Sequence, residues 1–162
     1  MTLLDVIGAI EAAALRQPAV GMVCRHDVYR LNALPSPRYA AFAWLQGDHS
    51  ADITTGLMRY SFTLFYADRL THDRGNLADV QSAGVEVLRS VLAELDDGGV
   101  YVSGSPAFTP FREKFMDECG GVFCRVTFEV PAGGTCPDPE TAADFNGDFD
   151  ADFLADGGKP VY

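Results

Sequence analysis

The sequence predicts an α+β domain: mostly antiparallel sheet, with a long helix and a shorter N-terminal helix packed on one face, followed by an acidic C-terminal arm. Two patterns carry this expectation. Met58, Tyr60, Phe62, Leu64 and Tyr66 alternate with Arg59, Ser61 and Thr63, the period of a strand with one buried face. From Asn76 to Leu95 the period becomes 3.6, with Leu77, Val80, Gly84, Val87, Leu88, Val91, Leu92 and Leu95 on one stripe. Such a stripe belongs on the apolar face of a sheet whose other face is polar.

The elements follow in order. Thr2 and Asp5 form a capping box, and Leu3, Ile7, Ile10 and Ala14 recur on one face, so residues 2–16 form an amphipathic helix that ends before Pro18. Residues 20–24, 28–31 and 39–45 read as strands, the last two separated by the turn-forming Pro35-Ser36-Pro37. Residues 47–56 are polar and turn-rich, which suggests a ten-residue mobile tip between two hairpin strands. Asn76 with Asp79 starts the long helix, and Gly98-Gly99 stops it. Residues 100–103 form a short strand. Thr109 with Pro110 reads as a helix start, running to Glu118 or Cys119 before Gly120-Gly121. Val122, Cys124, Val126, Phe128 and Val130 then mark a final strand.

The 162 residues suit one ordinary domain, placed at 2–136, with an arm over 137–162. The net charge is −11, and residues 138–162 alone hold seven carboxylates against one Lys. That sign repels phosphate, so neither nucleic acid nor an anionic membrane is expected as a partner. The sequence has no apolar run long enough to span a bilayer and no signal-peptide pattern, which places the chain in the cytosol. The four cysteines, Cys24, Cys119, Cys124 and Cys136, are accordingly expected as reduced thiols.

Candidate chemistry is sparse. Cys119-x4-Cys124 with Cys24-x-His26 offers zinc ligand types without the tight spacing of a zinc knuckle. No local motif places His26, His49 or His72 beside a thiol. Asp68, Asp73 and Asp79 interleave with Arg69 and Arg74, and a small hydrolase would use Asp68 or Asp73 with His72. Local ion pairs and a helix cap account for them more simply. The run from Asp144 to Asp152 is similar to the front of an EF-hand or dockerin loop, the basis for a calcium-dependent docking module. Phe149 stands at its sixth position and Ala155 at its twelfth, where glycine and a bidentate carboxylate are required. No catalytic, cofactor-binding or metal-binding residue is assigned.

Phe65-Tyr66-Ala67-Asp68-Arg69-Leu70 leading to Asn76, together with Pro110-Phe111-Arg112-Glu113-Lys114-Phe115 and Cys119-Gly120-Gly121-Val122, resembles small phage or prophage structural proteins of gut bacteria. The element order over roughly residues 2–130 is similar to the tail-terminator and tail-completion family of long-tailed phages. The resemblance implies a non-enzymatic virion assembly protein without cofactors, acting as a tail terminator or head–tail connector. It implies a ring-shaped homo-oligomer, commonly a hexamer, in contact with tail-tube or neck proteins. Such a protein is made in the host cytoplasm and retained in the virion.

Overall fold

A computed structural model describes residues 1–132, apart from 26, 27, 35, 36 and 116. Helix α1 (Leu3–Arg16) begins at the expected capping box: Thr2 N donates to Asp5 Oδ2 at 2.7 Å, and Asp5 N donates to Thr2 Oγ1 at 3.3 Å. Its buried face is Val6, Ile10, Ala13 and Ala14, turned slightly from the stripe that Leu3 and Ile7 suggest. Both of those side chains are only half-buried at the edge of the core.

The strands are β1 (Met22–Arg25), β2 (Ala41–Asp52), β3 (Leu57–Arg69), β4 (Tyr101–Ser103), β5 (Phe108–Lys114) and β6 (Glu118–Pro131). They form one sheet in the order β1-β2-β3-β6-β4, with β5 also on β6. Only the β1–β2 pair is parallel. Helix α2 (Leu77–Asp97) lays Val80, Gly84, Val87, Leu88, Val91, Leu92 and Leu95 against the same face that α1 covers. The main core therefore lies between two helices and the inward row Phe42, Trp44, Tyr60, Phe62, Leu64, Tyr66, Val122, Cys124, Val126 and Phe128. The α+β class and the one-sided helices are as the periodicities predict.

Four local expectations change. Residues 28–33 form a 3-10 turn instead of a strand, with Val28 and Leu31 buried. The hairpin tip is short, since β2 runs on to Asp52 and only residues 53–56 turn. Asp52 Oδ1 accepts from Thr54 N and Thr55 N, Gly56 N donates to Asp52 O at 2.8 Å, and Gly56 takes φ +67°. Residues 108–114 are strand β5, not a helix. Pro110 fits there because an edge strand has an outward side on which a missing N–H breaks no ladder bond.

Gly120-Gly121 lies within β6 and does not terminate a helix. The absent Cβ atoms make room for Leu77 and Leu70 on one face and for the Phe111 ring on the other. That second face is not wholly polar. Cys24, Val28, Leu31, Ala41, Ala43, Ala67, Phe115 and Cys119 form a smaller core there, with Phe65 and Phe111 packed against it. Among the described residues, no helix is long and apolar enough to cross a membrane.

Candidate functional site

A broad cleft lies on the sheet face away from the helices, where the alternation of β3 and β6 turns polar side chains outward. In register, Ser61 faces Thr127 and Thr63 faces Arg125. The Ser61 and Thr127 hydroxyls meet at 3.1 Å. One side of the cleft reaches Gly47, where a bulge interrupts the β2–β3 register between Gln46 and His49. The other side is the connection from β4 to β5, which contributes Ser103, Ser105 and Thr109. The open cleft has a volume of about 700 Å³, and no Asp or Glu lines it.

The β4–β5 connection opens the cleft by leaving the sheet. Ser103 pairs with Thr127 and Phe108 pairs with Cys124, so the Arg125–Val126 stretch of β6 has no partner from either strand. Gly104, at φ +76°, makes the turn away, a conformation that glycine adopts without a Cβ clash. Arg125 is exposed, and it forms no ion pair or hydrogen bond with any described residue.

Glu129 sits just beyond the cleft. Arg59 Nε donates to its Oε1 at 2.7 Å, and Ser103 Oγ donates to the same oxygen at 3.3 Å. The hydrogen bond from Arg59 is the main reason its carboxyl titrates below the usual glutamate range. A depressed folded pKa gives a contribution to stability that is complete above the unfolded pKa and lost as pH falls through the folded one. Glu129→Gln is therefore expected to destabilise near neutral pH and to converge on the parent in acid. Urea midpoints at about pH 7 and about pH 3 check this, and an equal gap at both would exclude the linkage.

The residues weighed for chemistry lie elsewhere. Cys119 and Cys124 project to opposite faces of β6, Cys124 into the main core and Cys119 into the smaller one that also holds Cys24. The sheet thus separates the proposed zinc pair, and no group of three metal-ligating side chains converges among the described residues. Burial raises the pKa of the three described thiols, that of Cys124 to about 12, which disfavours the thiolate needed by a nucleophile; Cys136 lies outside the described residues. His26 and the Asp144–Asp152 run lie outside the described residues.

The loop before α2 does bring its polar residues together, as a structural knot. Asn76 Oδ1 accepts from Thr71 N at 2.8 Å, and Asn76 Nδ2 donates to Arg69 O at 3.2 Å, so this side chain ties the loop rather than capping the helix. Asp73 accepts from Thr71 Oγ1 and Gly75 N, and these bonds hold its carboxyl below the ordinary range. The arginines pair away from the neighbouring aspartates, Arg69 with Asp117 at 2.9 Å and Arg74 with Glu118 at 2.7 Å. His72 and Asp79 are exposed. None of the described clefts is lined by Asp68, His72 or Asp73.

The sequence displays Ser61, Thr63, Arg125 and Thr127 only as the polar halves of two strands. Their convergence depends on the β3–β6 register, which the sequence does not display. No family model matches the chain, and no curated protein matches it.

Proposed function

We propose that the chain is a non-enzymatic virion assembly protein, a tail terminator or head–tail neck component that works as a ring of identical subunits. One observation carries the reading, the open outer edge of β2. Among the described residues, only β1 pairs on that side, and it reaches just from Ala41 to Trp44. Residues 45–51 beyond it are exposed, and Ile53 at the hairpin tip is 94% exposed.

A row of backbone N–H and C=O groups without sheet partners is a template for strand addition by another chain. An apolar side chain held out on a tight turn adds an anchor. When a copy offers such an edge to a different surface of the next copy, the contact is head-to-tail, and it closes into a ring if the rotation permits. On this reading the chain assembles in the host cytoplasm and meets tail-tube or neck proteins in the virion. The resemblance carried by residues 65–76 and 110–122 points the same way.

Native mass spectrometry and negative-stain imaging of the full chain, alone and with tail-tube protein, test the proposal. Rings of one subunit type are expected, and Ile53→Asp should reduce the ring fraction at least about tenfold while leaving the melting temperature unchanged, as an exposed turn position allows. A chain that stays strictly monomeric in every mixture would sink the proposal.

A further inference from the structure

We infer that the cleft on the helix-free face binds a small oxyanion carried on a hydroxyl-rich body, a ligand of the sugar-acid or sugar-phosphate class, with Arg125 as its charge partner. The inference does not depend on the assembly reading, because the cleft is complete within one chain.

The cleft's charge is the first argument. The chain carries a net charge of −11, yet no carboxylate lines this volume of about 700 Å³. Glu129, two residues beyond Thr127 on β6, is already held by Arg59 and Ser103. Seven described arginines are bound in ion pairs, at positions 16, 25, 59, 69, 74, 89 and 112. Arg30, Arg38 and Arg125 have no such partner among the described residues, and of these only Arg125 lines the cleft. A planar guanidinium pairs bidentately with a carboxylate or phosphate, so an oxyanion is the complement this cleft lacks.

The remaining lining defines the rest of the ligand. Ser61, Thr63, Ser103, Ser105, Thr109 and Thr127 supply hydroxyls from both strands and from the far wall. Ser61 and Thr127 share one hydrogen bond and Ser103 donates to Glu129, yet a hydroxyl has one donor and two acceptor sites, so the set keeps capacity for a ligand bearing hydroxyls of its own. The volume lies in the usual range for small-molecule sites and far exceeds what a bare phosphate fills. The break between β4 and β5 supplies the far wall, since residues 105–107 leave the β6 edge there and line the cleft.

Amide chemical-shift titration of the full chain with glucuronate, glucose 6-phosphate, glucose and inorganic phosphate tests the inference. Saturable shifts at cleft residues are expected with glucuronate or glucose 6-phosphate, and whichever binds more tightly identifies the oxyanion. Glucose alone should bind at least about tenfold more weakly, and so should the preferred anion on Arg125→Gln, the scale expected for losing a charge-assisted hydrogen-bonded pair. Arg112→Gln, an exposed arginine outside the cleft, should bind as the parent does. Absence of saturable shifts, shifts confined to other surfaces, or unchanged binding by Arg125→Gln would overturn the site. Phosphate binding as tightly as glucose 6-phosphate would overturn the hydroxyl-rich body.

Discussion

Gly121→Ala is expected to destabilise the domain by about 3 kcal/mol, the upper end of what overpacking a tight interior usually produces. A Cβ at this position would collide with the Tyr66 carbonyl oxygen and come within 2.9 Å of the Phe111 ring. The ring can rotate away, but the carbonyl is fixed in the β3–β6 ladder, where Gly121 faces Ala67 in register. Relief therefore requires the two central strands to separate locally, which disturbs both cores at once. Thermal melts should place the variant roughly 10 °C below the parent. Gly8→Ala is the matched control. It lies within α1 with nothing within 4 Å of a new Cβ, so it should gain about 0.5–1 kcal/mol from helix propensity. Equal melting temperatures for Gly121→Ala and the parent would show that the strands yield more easily than this packing implies.

Where one face of an element is buried and the other is wet, the sequence displays it. That is why α1, α2, β3 and β6 can be read from their apolar periods. Capping chemistry is equally local, and Thr2 with Asp5 performs as its spacing implies. The distal half of β2 has no such contrast. Residues 45–51 are exposed, so no apolar alternation separates them from a loop, and their strand character comes from pairing with β3. In β5, Phe111 is half-buried among charged neighbours, while Thr109-Pro110 carries a genuine helix-start signal that tertiary pairing overrides. Gly120-Gly121 misleads for a related reason. Glycine marks a place where something must come close, and only the fold says whether that is a chain reversal or an aromatic ring. The cleft is the least legible feature, because the β3–β6 register and the β4–β5 break create it together from residues that look like ordinary strand surface.

Trp44→Ala should be the most damaging single truncation, lowering stability by about 3–5 kcal/mol. Trp44 is 2% exposed and packs edge-to-face on Phe62 at 6.0 Å, at the centre of the main core. Its indole also joins three elements. Trp44 Nε1 donates to Glu11 Oε1 at 3.2 Å, and Glu11 in turn receives Arg25 Nε and Nη2 at 2.7 and 2.8 Å. Thus β2 holds the α1 carboxylate that anchors β1, and removing the indole opens a cavity and takes a donor from this junction. Trp44→Phe separates the two effects, since it keeps most of the ring volume and loses the N–H. It should cost about 1–2 kcal/mol, the scale of a lost hydrogen bond to a charged group plus a small void. In a Glu11→Gln background that cost should shrink, because a neutral acceptor forms the weaker bond. If Trp44→Phe costs the same in the Glu11→Gln background as in the parent, the indole contributes through packing alone and the junction is not coupled through it.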